Sequence, residues 1–157
     1  MRRHRQWVRI TGWILFLIYL ALLVYLLFFA EEYGRQYAGG REYQYNLVPF
    51  AEIRRFWVYR RQVGTMAAFL NLGGNVLGFM PFGFLLPALS VRFRRFWAAV
   101  PLGFGMSLTV ECIQLAARVG SFDVDDIILN TLGVILGYLM FRLLNRIRRT
   151  VFYGKKV

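Results

Sequence analysis

The sequence predicts an all-α integral membrane protein: a four-helix bundle with a short amphipathic helix at the outer interface between its first two helices. Three observations predict it. Hydrophobic residues make up 58% of the 157 positions and mean hydropathy is +0.46, outside the range of a soluble domain of this length. Four apolar segments, Ile10 to Phe29, Met66 to Leu89, Phe96 to Ala117 and Ile127 to Leu144, each approach the ~20 residues that cross ~30 Å of hydrocarbon at ~1.5 Å per residue. The Lys and Arg residues behind the net charge of +12 gather at alternate ends of those segments. Strands of a membrane barrel would instead alternate in shorter runs.

The first segment follows "MRRHRQWVR", a basic stretch that resembles the start of a secretory signal. Its apolar run exceeds the ~7 to 15 residues of a signal core, and "FFAEEYG" lacks a small-residue cleavage site, so it is expected to remain as a helix. Arg2, Arg3, Arg5 and Arg9 precede it; Arg92, Arg94 and Arg95 lie between the second and third segments; Arg142, Arg146, Arg148, Arg149, Lys155 and Lys156 follow the fourth. Four spans place all three groups on one side, and the excess of Lys and Arg assigns that side to the cytoplasm, with both termini inside. On the other side Arg35, Arg41, Arg54, Arg55, Arg60, Arg61 and Arg118 are matched by Glu31, Glu32, Glu42, Glu52, Asp123, Asp125 and Asp126. The basic patches therefore read as topology determinants that touch anionic headgroups; no nucleic-acid motif accompanies them. The expected organisation is a basic cytoplasmic N-terminus at 1–9, a membrane domain at 10–144 with an outer segment at 30–65, and a basic cytoplasmic tail at 145–157.

The outer segment, about 35 residues, is too long to lack structure of its own. Its first part, "EEYGRQYAGGREYQY", reads as an ordered or partly ordered turn region. In "NLVPFAEIRRFWVYRRQ", Pro49 suits a first helical position, and Phe50, Ile53 and Trp57 recur at helical spacing with Glu52, Arg54 and Arg55 off that stripe. This predicts a short helix on the outer membrane surface, apolar face down and arginines among headgroups. The plainer alternative is a linker packed over the bundle. Asn75-Val76-Leu77-Gly78 echoes in Asn130-Thr131-Leu132-Gly133, a match short enough to arise by chance.

Absent chemistry narrows the function. Cys112 is the only cysteine, which excludes a disulfide within the chain, and His4 is the only histidine, set in an arginine run. A zinc site or a Ser-His-Asp arrangement is not expected, nor is any other metal or cofactor.

Polar residues inside the apolar segments sort into stripes by helical spacing. Asn71, Asn75, Gly78 and Phe82 share one face of the second membrane helix; Glu111, Gln114 and Arg118 one face of the third; Asp126, Asn130, Gly133 and Gly137 one face of the fourth. Gly74/Gly78 and Gly133/Gly137 have the spacing that lets helix backbones approach closely. With alternating spans, all the polar residues fall in the outer half of the bilayer, which predicts one cluster open or nearly open to the extracytoplasmic side. Asn71, Gln114 and Asp125 are as well explained by hydrogen bonds across helices or by capping. Glu111 is not, because an unpaired charge inside a membrane helix costs ~2.5 to 3.5 kcal/mol or more, so it is a candidate functional residue. Its partner is expected to be Arg118, or the amides of Asn75 and Asn130. Glu111 as proton donor beside an ionised Asp126 would match the divided roles of paired carboxylates.

"NLVPF" (Asn46 to Phe50), "NLGGNVLGFMPFGFLLP" (Asn71 to Pro87), "ECIQ" (Glu111 to Gln114) and "RVGSFDVDDIILNTLGVILGY" (Arg118 to Tyr138) resemble the successive signatures of the VanZ-like family of membrane proteins, over about two-thirds of the chain. The resemblance implies a bacterial inner-membrane protein that contributes to resistance to teicoplanin, a lipid-tailed glycopeptide, in a family whose biochemical activity is not settled. Carried over by residue, it points to Asn46, Pro49, Phe50, Asn75, Pro81, Phe82, Gly83, Glu111, Gln114, Arg118, Asp126, Asn130 and Gly133.

Two functional readings follow. In the first, Asn46, Pro49, Phe50, Asn75, Gln114, Arg118 and Asn130 line an outward cleft that binds a lipid-linked cell-wall precursor or a lipoglycopeptide, supported by Gly74, Gly78, Pro81, Gly133 and Gly137 as structural positions. In the second, Glu111 and Asp126 are the acid and base of an intramembrane hydrolase or transferase acting on a lipid-linked substrate. A proton-coupled transporter is a third reading and would need a dimer of four-helix units.

Overall fold

Four helices are long and apolar enough to cross a membrane, and each contains one of the expected apolar segments. The computed structural model describes residues 2–29, 43–118 and 120–153. In chain order they form α1 (Arg2–Phe29), β1 (Gln44–Asn46), α2 (Ala51–Val58), α3 (Arg60–Val63), α4 (Thr65–Leu89), a 3-10 turn (Val91–Arg94), α5 (Phe96–Ala117), β2 (Ser121–Asp123) and α6 (Val124–Tyr153). The turn region expected over "EEYGRQYAGGREYQY" lies outside the described residues up to position 42. Residues 145–153, expected as a separate tail, continue α6, since no Gly or Pro interrupts the sequence between Gly137 and Gly154.

The bundle is antiparallel from one span to the next, so one end collects the start of α1, the 3-10 turn and the arginine-rich end of α6. We call it the basic end. The other, the polar end, collects the end of α1, residues 43–64 and the α5–α6 turn. The most extensive interface joins α4 to α6, which run parallel. Small residues make it possible. A Cβ at Gly83 would lie 2.0 Å from the Val134 carbonyl oxygen, one at Gly133 2.2 Å from the Val76 carbonyl oxygen, and one at Gly137 2.0 Å from the Met80 carbonyl oxygen. The Gly133/Gly137 spacing therefore acts as expected, letting one backbone rest on another.

The same expectation fails on α4. At Gly74 an added Cβ meets nothing within 4 Å among the described residues, and Gly78 faces Leu23 of α1 instead of α6. The α4 glycine that seats α6 is Gly83, five residues beyond Gly78, because Gly78 lies on the face that α4 turns to α1. Asn71 is exposed.

α1 closes the bundle through aromatic rings. Phe16 packs on Trp13, Tyr19 and Phe82, and the core around them includes Leu23, Phe79, Leu86, Val100 and Val134. The Tyr19 hydroxyl donates to the Gly78 carbonyl of α4 at 2.6 Å. That contact sits one turn before Pro81, which remains inside a continuous helix, as Pro does in membrane helices when neighbouring groups satisfy the backbone. The outward surface is apolar: Leu15, Leu17, Leu22, Phe69, Leu77, Leu139 and Leu143 are all exposed, and so is Cys112. Such a surface suits hydrocarbon and would be unfavourable in water.

The short elements at the polar end differ from expectation in two respects. The two strands pair in parallel, Gln44 with Ser121, Tyr45 with Phe122 and Asn46 with Asp123, which ties the segment after α1 to the α5–α6 turn. The amphipathic helix begins at Ala51, with Pro49 in the turn before it and Phe50 as N-cap in a left-handed conformation (φ 66°). Its half-buried residues are Ala51, Glu52, Ile53 and Phe56, followed by Arg60 of α3, whereas Phe50 and Trp57 of the expected apolar stripe are 60% and 64% exposed.

Candidate functional site

α2 opens without a capping side chain of its own, because Val48, Pro49 and Phe50 offer no oxygen to the first N–H groups of the helix. The acceptor comes from 72 to 75 positions away. One Asp125 carboxylate oxygen accepts the Phe50 N–H; the other accepts the Glu52 N–H at 2.8 Å and the Ile53 N–H at 3.0 Å. Asp125 is 1% exposed. A carboxylate that satisfies three orphan donors and faces the positive end of a helix dipole has exchanged its hydration for charge-assisted bonds.

Asp123 performs the same task for α6. Its Oδ1 accepts the Asp125 N–H at 2.8 Å, an N-cap contact two residues along, and also the Asn46 amide N–H at 3.1 Å from β1. The Asn46 side-chain oxygen in turn accepts the Val48 N–H at 3.1 Å, turning the chain toward α2. Burial raises the pKa of the Asp123 carboxyl, and the neighbouring Asp125 charge adds to the rise; the bonds from Asp125 N–H and Asn46 and the Arg55 charge partly oppose it.

Glu111 enters this network from α5. Its Oε2 accepts the Asp123 N–H at 2.8 Å, and the residue is 3% exposed, so the acid turns into the α5–α6 turn and away from lipid. Asp126, one residue beyond Asp125, accepts from the Asn75 amide of α4. Glu111, Asp123, Asp125, Asn46 and the N-terminus of α2 thus form one connected hydrogen-bond system, with the Asn75–Asp126 bond between α4 and the first turn of α6 beside it. Among the described residues, no three Asp, Glu, His or Cys side chains are grouped so that they could hold a metal ion.

The other expected members of the cluster stand apart. Arg118 does not pair with Glu111. α5 ends at Ala117, and Arg118 takes a left-handed conformation (φ 55°) that turns its side chain off the Glu111 stripe, out to Tyr43. Its guanidinium lies 4.4 Å from that ring's centroid and donates to the hydroxyl at 3.1 Å. Gln114 donates to the Leu27 carbonyl at 2.9 Å and joins α5 to α1. Asn130 donates to Ser107 at 2.9 Å one turn deeper than Asp126, and its own side-chain oxygen is buried with no partner among the described residues. Pro49 and Phe50 are exposed; Phe50 takes part through its backbone.

Sequence reasoning missed Asp125 as the cap of α2, assigning it instead to its own helix. The uncapped start "LVPFAEI" was the available signal, since a helix there needs an acceptor from elsewhere. Ser107 and Tyr43 had none. Two concave surfaces lie nearby. A groove of about 360 Å³ runs between α5 and α6, lined by Phe104, Ile127, Ile128, Thr131, Leu132 and Ile135. A smaller one of about 250 Å³ lies over Ala51, Arg54, Arg55, Val58 and Tyr59 of α2 and its C-cap.

Compared with known proteins, the sequence matches the VanZ/LLP1 family across residues 16–145. It is similar to Protein VanZ of Enterococcus faecium, with 30% identity over 132 residues that cover 82% of this chain and 72% of that protein. No solved structure matches.

Proposed function

The chain belongs to the VanZ/LLP1 family, and from that membership and the polar-end geometry we propose that it is a bacterial inner-membrane protein that lowers susceptibility to a lipid-tailed glycopeptide such as teicoplanin. It does so by holding a lipid-linked envelope component at its polar end. The Lys and Arg excess at the basic end orients that end to the cytoplasm, with both termini inside, so that the polar end meets the outer leaflet.

The observation that carries the reading is the clamp. Asn46 and the α2 N-terminus are bonded to Asp123 and Asp125, so residues 46–58 form a cover fixed to the turn that holds the buried Glu111, with the half-buried Asp126 one residue beyond Asp125. A cover that joins a buried acidic system to an exposed aromatic and arginine surface suits recognition at the membrane boundary. Binding is favoured over catalysis, since Glu111 and Asp126 each accept an N–H from the protein.

The test is expression in a susceptible Gram-positive host. Wild type is expected to raise the minimum inhibitory concentration of teicoplanin several-fold more than that of a glycopeptide without a lipid tail, and Asp125→Ala to remove most of that rise. Equal protection against both drugs, or none, sinks the reading. Lipid turnover by the purified protein in nanodiscs, abolished by Glu111→Gln or Asp126→Asn in folded variants, would replace binding with intramembrane catalysis.

A further inference from the structure

α2 has an outward face as well as the one it turns to the bundle. Ala51, Arg54, Arg55, Val58 and Tyr59 follow one another at helical spacing and surround the concavity of about 250 Å³. Ala51 and Val58 give it apolar lining, and two arginines and a tyrosine give it polar lining. Across α2 and α3, Arg54, Arg55, Arg60 and Arg61 stand against a single acid, Glu52.

Their setting fixes the geometry. Arg55 lies over the Phe56 ring at 5.2 Å and Arg60 over the Trp57 ring at 5.0 Å, which holds both planes against aromatic surfaces. Arg55 also pairs with Glu52 at 2.5 Å, but its side chain is 60% exposed, and an exposed pair of this kind exchanges readily for another anion. The height of the face is set by Asp125. The α2 N-terminus is bonded to the second residue of the α6 span, so the helix rests within about one turn of where hydrocarbon begins. Exposed Trp57, Val58 and Tyr59 beside the arginines give the mixture of aromatic and cationic groups that suits the headgroup layer.

The buried side of the polar end does not suit an anion, because Glu111, Asp123 and Asp125 are acids there. We infer that the Arg54–Arg55–Tyr59 face of α2 docks the phosphodiester headgroup of an anionic membrane lipid. The inference rests on the reading that a lipid component is held at the polar end, and names the group that recognises it.

The experiment uses the full chain in nanodiscs of equal phosphatidylglycerol and phosphatidylcholine, with the lipids retained after delipidation counted by native mass spectrometry. Wild type is expected to retain phosphatidylglycerol preferentially, with a preference that weakens as salt rises. Arg54→Gln/Arg55→Gln is expected to lower the preference about fivefold or more, while Arg54→Lys/Arg55→Lys keeps most of it. Arg92→Gln/Arg95→Gln at the basic end is the control for bulk charge and should change it little. The inference is overturned if the Gln pair, with wild-type helicity, matches wild type, or if the control pair lowers the preference as much. Displacement of the lipid by inorganic phosphate beyond the effect of matched chloride would overturn the lipid source in favour of a free anion. Teicoplanin susceptibility is scored separately: no protection by wild type, with the lipid preference intact, removes the functional reading and leaves the docking face standing.

Discussion

The α4–α6 interface and the polar end are held together by opposite means. Along α4 and α6, Gly83, Gly133 and Gly137 let one backbone rest against the other, with carbonyl oxygens where side chains would otherwise be. At the polar end the elements meet through carboxylates: Asp125 on α2, Asp123 on α6 and β1, Glu111 on β2. The first contact tolerates no added volume and needs no polar group. The second tolerates some volume and depends on every donor finding its acceptor. Lipid offers little hydrophobic drive between helices, so close packing must supply it inside the span, whereas hydrogen bonds can do so only where a chain turns and exposes unpaired N–H groups.

That contrast breaks most severely at the interface. Gly137→Leu or Gly83→Val drives a side chain into the backbone of the neighbouring helix, and a loss of about 3 kcal/mol or more is expected. Thermal unfolding in detergent should report it; variants that melt within a few degrees of wild type would show that α4 and α6 separate easily, contrary to the packing described. Asp125→Ala comes next, at about 2 kcal/mol, from the loss of a charged cap on partly buried N–H groups. Hydrogen exchange should rise at Phe50, Glu52 and Ile53 while α4 and α6 stay protected. If those three amides remain protected, the cover is held by something other than Asp125.

Asp123 gives a smaller, pH-dependent effect with a defined sign. Its folded pKa is raised, so the ionised buried form weakens the fold: its stabilising contribution is complete below the unfolded value of 3.8 and is lost as pH rises through the folded value. Asp123→Asn keeps an oxygen for the cap without the charge. Its stability relative to wild type is expected to be greatest at neutral pH and to shrink as pH falls toward the usual carboxylate range. A difference that grows on acidification contradicts the assigned shift. The smallest effect is Gly74→Ala, expected to change stability by less than about 1 kcal/mol and in the stabilising direction, because Ala favours helix and an added Cβ meets open space. A loss comparable with Gly83→Ala would mean that this face of α4 has a partner.

The four spans were legible because they follow from composition and length: an apolar run of about 20 residues has few alternatives to a membrane helix. Glu111 was legible for the same reason, as an acid that stands out in such a run, and the grouping of polar residues at one end followed from alternation of the spans. The partners were not. Gly74 and Gly78 have the same spacing as Gly133 and Gly137, yet only the second pair meets a backbone, since spacing along one helix does not say where its neighbour touches. Arg118 is two turns from Glu111 on paper, and one left-handed residue removes it from that face.

The amino-acid order by itself determined which segments are helical and apolar, which ends are basic and which residues carry charge, because those properties are local and additive along the chain. That Asp125 meets the N–H groups of α2 was decided only when a chain segment spanning 72 to 75 positions had folded back. Asp125 caps α2 because the parallel strands bring residue 46 beside residue 123. A hydrogen bond requires its two atoms to lie within about 3 Å, and only the folded bundle sets distances that fine between residues so far apart in the chain.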